Sequence, residues 1–437
     1  MGGSAFAHHC PPYLTPRLPR AVYQHVLKQT MDLLGRFYRH VASPIDAPGK
    51  ETFGDVDLLV CEPLVSDLDE TITSRASVAL TLARILTAEA HIVRKGDPVL
   101  LFAVPLRQTG HAGLTHLPST SYVQIDIQTC ISRQALIFSH FCESHGDMWS
   151  ILGTIIYPYG LKIDNRGLHI RIAAIESLHK KRSLVLLSSN PVEILNFLGL
   201  DTRKWESEME SLNEMFEYIA SCRMFSLPTS RAEMPHGGSN PIKKVGETVP
   251  NSNPDSITSN LQLRKRSERV RYAKRPVFTA WIDEFIPQCL SRGLYSPSDP
   301  PLTREQVKQE AFETFGVKEE FEEKELAWIL ERHREEILKD GLKSHVPIDG
   351  VNPALRASSI RVLKEVIVDG LPWVDGNLPL DVQKDAKGFQ DMEKIRRWVD
   401  ANWREAGEIG FERQRAKCNE NTQRKLQKKA EKPTQAQ

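Results

Sequence analysis

The stretch from Tyr122 to Cys130 alternates without a break: Val123, Ile125 and Ile127 interleave with Gln124, Asp126 and Gln128. Successive side chains of a strand point to opposite faces. This segment therefore predicts a strand that buries one face and carries a carboxylate on the other. A strand needs partners, and two further runs supply them. The largely apolar Val56–Val60, bounded by turn residues, reads as a buried strand, and Val99–Val104 as a third.

Helical periodicity separates these strands. Val22, Val26, Met31, Leu34, Phe37 and Tyr38 predict a helix over 20–41, and Val78, Leu82, Ile85 and Leu86 one over about 73–95. The expected class is α/β or α+β, a mixed sheet with flanking helices. Beyond Ser132 the pattern is mixed. A helix is expected over Met148–Ile156, a hairpin over 161–172 turning at Asn165-Arg166-Gly167, and a strand at Leu184–Leu187. Asn190, Pro191 and Glu193 mark the start of a short helix and Gly199 its end, and a longer helix covers Trp205 to about Ala220.

At 437 residues the chain is too long for one ordinary domain. Residues 227–263 are rich in Pro, Ser, Asn and Gly and poor in large hydrophobes, which predicts a linker. A basic stretch follows: Arg264, Lys265, Arg266, Arg269, Arg271, Lys274 and Arg275. It suits either contact with nucleic acid or a solvated linker end. After Pro276 the pattern is helical, with Thr303 and Gln306 forming a capping box and further helices near 326–337, 360–368 and 392–403. The expected division is a tail at 1–19, a first domain at 20–226, a linker at 227–275, a mostly helical region at 276–412 and a charged tail at 413–437.

Composition narrows the partners. With 57 basic and 56 acidic residues the net charge is +1, which argues against a surface devoted as a whole to a polyanion. The seven cysteines are scattered and contain no CxxC pair, so neither a zinc ribbon nor a disulfide framework is expected. Reduced thiols fit a cytoplasmic or nuclear setting. No run approaches the roughly eighteen apolar residues of a membrane span, and the segment around His8, His9, Pro11 and Pro12 lacks an apolar signal core. An intracellular protein without a membrane partner is expected.

The chemistry rests on three acids. In Gly54-Asp55-Val56-Asp57 the two carboxylates stand at i and i+2 of a strand, on one face. Asp126 stands at the centre of another. If the two strands are neighbours, three carboxylates share one volume and their repulsion calls for a cation. Hard cations such as Mg²⁺ take such oxygen ligands, and phosphoryl or nucleotidyl transfer needs mainly that cation and an in-line geometry.

A strand bearing Asp-x-Asp, preceded by a Gly-Ser loop and followed by a lone Asp on a later strand, resembles the polymerase-beta-like nucleotidyltransferase superfamily. The resemblance covers roughly residues 20–205. The segments 159–172 and the strand-turn-helix ending at Leu198-Gly199-Leu200 are similar to parts of nucleotidyltransferase-like proteins of fungi and phages. It implies that Asp55, Asp57 and Asp126 hold two Mg²⁺ (or Mn²⁺) ions, that Asp126 helps activate an acceptor hydroxyl, and that an NTP such as ATP is the substrate. The Gly-Ser position falls on Ala42-Ser43, at the expected end of the first helix. Ala42 thus replaces the glycine that lets backbone approach phosphate. Ser43, Lys50 and Gly54 form the candidate nucleotide-binding set.

Plainer readings stand beside these. A Gly-Asp turn with solvated acids explains Asp55 and Asp57 taken alone, and a half-exposed strand explains Asp126. Lys50 belongs to no Walker A spacing, and Arg75 and Lys95 read as solvated side chains. His111, His116, His140, His145 and His169 show no ligand spacing, and no GxSxG elbow occurs. The expected function is Mg²⁺-dependent transfer of a nucleotide from an NTP to a hydroxyl acceptor. The alternatives are a catalytically inactive interaction module of the same type, and a nucleic-acid-binding adaptor working through the basic stretch.

Overall fold

The structure, a computed structural model, describes residues 3–9, 12–109, 118, 120–227, 275–374 and 376–430. Two short strands, β1 (Leu18–Pro19) and β3 (Thr52–Phe53), pair beside a five-stranded mixed sheet. Helix α1 spans Arg20–Leu34 and buries Val22, Tyr23, Val26, Thr30 and Leu34 along one stripe. It is shorter than its periodicity predicts. Strand β2 (Tyr38–Ala42) takes over and pairs antiparallel with β4 (Asp55–Pro63), His40 opposite Cys61 and Ala42 opposite Leu59. The aromatic and β-branched residues at 37–41 satisfy a helical spacing and a strand equally, and the open edge of β4 decides between them.

The second predicted helix divides in the same way. Helix α2 covers Arg75–Ile85, with the Ser74 side chain capping the Ser77 amide. Thr87 then takes a left-handed backbone (φ 52°), and β5 (Ala90–Val93) runs back against β6 (Val99–Pro105). The order across the sheet is β2-β4-β7-β6-β5, with β7 at Tyr122–Thr129. Only β4 and β7 are parallel, and α2, β5 and β6 form the connection that parallel neighbours require.

One face of the sheet is core. Val56, Leu58 and Val60 of β4, Ile125 and Ile127 of β7, and Leu100 and Phe102 of β6 pack with residues of α1 and α2. The opposite face carries the acids, and beside them Leu59 and Cys61 pack against Leu136 of α3 (Arg133–Glu143). Helix α3 is absent from the sequence-based expectation, although Ser132 caps it by accepting from the Ala135 amide.

Farther along, α4 (Met148–Ile156) precedes a three-stranded antiparallel sheet of β8 (Leu161–Asp164), β9 (Gly167–Arg171) and β10 (Leu184–Ser188). The hairpin turns where expected. Helix α5 (Pro191–Leu198) starts on the Asn190 cap and ends at Gly199, whose φ of 73° disfavours any side chain. The helix expected from Trp205 begins later, as α6 (Leu212–Ala220). Helix α7 (Arg304–Phe315) opens on the Thr303–Gln306 capping box.

The chain divides into two compact units, one of Met1–Ala173 with Lys180–Val317, the other of Ala174–His179 with Lys318–Gln437. Residues 276–317, expected in the separate helical region, thus pack with the sheets. The second unit opens with α8 (Lys318–Glu336), and α9 (Pro353–Ile367) and α10 (Met392–Ala430) supply most of a core around Leu363, Val366, Ile395 and Val399. Helix α10 continues well past 412, where the charged tail was expected to begin. Of the basic stretch only Arg275 is described: its Nη1 lies 3.1 Å from an Asp147 oxygen and donates to Ser150. The rest, like His111 and His116, lies outside the described residues. Among the described residues no helix is long and apolar enough to cross a membrane.

Candidate metal centre

The parallel pairing of β4 with β7 fixes the geometry. Asp55 stands opposite Gln124 and Asp57 opposite Asp126, so all four side chains project from the face away from the α1/α2 core. One carboxylate oxygen from each of Asp55, Asp57 and Asp126 lies within 4.8 Å of the others. No second group of His, Cys, Asp or Glu among the described residues comes together in this way.

Three like charges at this separation repel strongly. At an effective dielectric constant near 20, each pair costs at least about 3.5 kcal/mol if both members are ionised. Protons or a cation must relieve this, and without a cation protons do so. Burial, then the Asp57 charge, pushes the Asp126 carboxyl up to about 8, with the Gln124 hydrogen bonds opposing. Burial, then Asp55, pushes Asp57 up to about 6, with Lys50 opposing. Asp57 nevertheless keeps an exposed surface.

Two acids outside the predicted set share this field. Glu143, at the end of α3, is pushed up to about 7 by burial and then by Asp57. Asp46 adds a smaller upward push on Asp57. Neither carries a sequence signal, since each sits in an unremarkable local context and comes near only through the packing of α3 and of the loop after β2. Gln124 is also new to the site. It is 3% exposed, and its Nε2 donates to both Asp126 oxygens at 2.9 and 3.1 Å.

The candidate nucleotide-binding residues fare differently. Lys50 lies close enough to Asp57 to lower it, but its Nζ is held 3.1 Å from an Asp46 oxygen and 4.6 Å from the Phe53 ring centre. Ser43 follows β2 instead of ending a helix, and its hydroxyl is buried. Gly54 is buried, with its carbonyl against Gly3. Arg75 is not a free cation: its Nη1 donates to both Glu70 oxygens at 2.9 Å. His145 is fully buried, with Nε2 2.8 Å from the Trp205 carbonyl, and His169 contacts the Gly167 carbonyl.

Chemically, the donor set is all oxygen, partly desolvated and open on one side, which suits Mg²⁺ or Mn²⁺ and not a thiolate-preferring metal. Neither a protein-family model nor a curated protein matches the chain.

Proposed function

We propose that the first unit is a Mg²⁺-dependent nucleotidyltransferase-like domain that passes a nucleotide from an NTP to a hydroxyl acceptor. The observation that carries this reading is the direct pairing of Asp57 with Asp126, which puts three carboxylates from two adjacent strands within 4.8 Å. A solvated turn accounts for Asp55 and Asp57 but leaves unexplained why a third acid faces them across the sheet. Asp55, Asp57 and Asp126 would hold the cation, which when bound neutralises phosphate charge and lines up the attacking and leaving oxygens. By the resemblance, Asp126 is the residue that would accept the proton of the acceptor hydroxyl, from the ionised form that a bound cation favours. The acceptor oxygen then bonds to the α-phosphorus and pyrophosphate leaves. Lys50, released from Asp46, is within the field of the site and can meet a phosphate.

A second reading is favoured by a specific observation. Ala42 is paired into β2 and the Ser43 hydroxyl is buried, so no flexible Gly-Ser loop presents itself to phosphates. In that case the domain is a catalytically silent module of the same architecture. Incubation with labelled NTPs, Mg²⁺ and candidate hydroxyl acceptors separates the two. The enzyme reading expects transfer in the wild type and none in Asp57→Asn. Absence of both transfer and Mg²⁺-dependent NTP binding favours the silent module, and transfer that survives Asp57→Asn removes the site altogether.

A further inference from the structure

The segment before β1 does not trail away from the sheet. It crosses the acid-bearing face and makes two backbone hydrogen bonds there. The Gly3 amide donates to an Asp55 oxygen at 3.1 Å, and the Ala5 amide donates to Gln124 Oε1 at 3.1 Å. A backbone amide can only donate, so the Gln124 oxygen must face Ala5 and its NH₂ must face Asp126. That is the orientation seen, with Nε2 on both Asp126 oxygens. The segment thus touches one acid directly and a second through Gln124.

Independent contacts seat it. Phe6 is fully buried with Ala90, Leu101 and Ala103 on this face of the sheet. Tyr13 packs edge-on against Tyr122 of β7 at 4.8 Å between ring centres, and Thr15 Oγ1 donates to the Gly3 carbonyl. Gly3 has φ +85° and lies so close that a Cβ would strike the Gly54 carbonyl. Only glycine brings an amide to Asp55 along this path.

We infer that Gly3, Ala5 and Gln124 are positioning residues of the carboxylate site, a clamp that aims Asp55 and Asp126 at a shared cation. The inference rests on the metal reading above. Carboxylates that bind metals are themselves oriented by outer hydrogen bonds, and removal of such partners typically costs roughly 10–100-fold in metal affinity. The bland alternative is an arm that packs on the sheet for stability alone, its hydrogen bonds incidental to the acids.

Titration of the full chain with Mn²⁺, read by the loss of the free-ion spin-resonance signal, distinguishes them. Ala5→Pro deletes the amide donor, and Ala5→Gly keeps it. Gln124→Met keeps the bulk and deletes the amide. The clamp expects Ala5→Pro and Gln124→Met each to weaken Mn²⁺ binding by roughly 10–100-fold, and Ala5→Gly to bind like the wild type. The double variant should bind no more weakly than Gln124→Met alone, because both changes break one chain of bonds. A merely structural arm predicts that melting temperature in chelator falls in the variants while Mn²⁺ affinity stays at the wild-type value, and that result overturns the clamp. Gly3→Val, which lifts the segment off Gly54, supplies the same comparison if Ala5→Pro does not fold. Absence of Mn²⁺ binding in the wild type is a different failure: it removes the metal reading, and the clamp with it.

Discussion

Asp126 and its neighbours make the site sensitive to pH in a direction that can be worked out. Its carboxyl has an ordinary value of 3.8 and stands at about 8 in the folded chain. The folded state therefore keeps a proton that the unfolded state gives up between those values, and stability falls as pH rises through that window when no cation is present. Asp57 contributes to the fall up to about 6, and Glu143 up to about 7. Between pH 7 and 8 most of the remaining slope belongs to Asp126, with a smaller part from the cysteines whose thiols burial pushes up. Urea unfolding in chelator should show stability declining from pH 7 to 8 in the wild type and nearly level in Asp126→Asn; the same slope in both would mean that Asp126 ionises normally. Added Mg²⁺ should restore stability most at pH 8, since a bound cation does the work of the lost proton. Three of the site's acids were legible from their spacing. Glu143, Asp46 and Gln124 were not, because nothing local marks a residue whose importance is a distance to another part of the chain.

At the scale of elements, the misassigned segments share one cause. Residues 38–41 and 90–93 continue a helical spacing, yet both form strands, because each meets an unpaired sheet edge: β4 for the first and β6 for the second. Hydrogen-bonding an edge strand satisfies backbone groups that a longer helix would leave no way to satisfy. Caps were more faithful than periodicity. The Asn190 cap, the Gly199 stop and the Thr303–Gln306 box lie where their residues predict them. The overlooked α3 also carries such a mark in Ser132. Ser132→Ala should destabilise the first unit by about 1 kcal/mol in urea unfolding. No loss would mean that the packing of Leu136, and not the cap, holds the start of α3. Register matters more than either. Slippage of β4 against β7 by one residue would turn Asp55 and Asp57 into the core and expose Val56 and Leu58, so the apolar face protects the acid face from misalignment.

For the whole molecule, two separate cores imply that damage to one leaves the other's chemistry alone. Leu363 is fully buried in the helical unit, and Leu363→Ala should cost roughly 2–5 kcal/mol there. Calorimetry should show the loss, while Mn²⁺ affinity at the carboxylates stays unchanged. A parallel fall in affinity would mean that the helical unit supports the site. The division itself was only partly legible: composition marked a break at 227–275, but residues 276–317 rejoin the sheet-bearing unit and α10 extends into the expected tail. The sequence by itself determined the mixed α/β class, the identity of the central strands and which face of each bears acid, because periodicity and side-chain type act over a few neighbouring residues. Tertiary structure alone decided that β4 and β7 lie side by side in a register that sets Asp57 against Asp126, and that Gly3 and Ala5 reach that same face. Those are contacts between residues dozens of positions apart, and they follow from how whole surfaces pack, which no local pattern encodes.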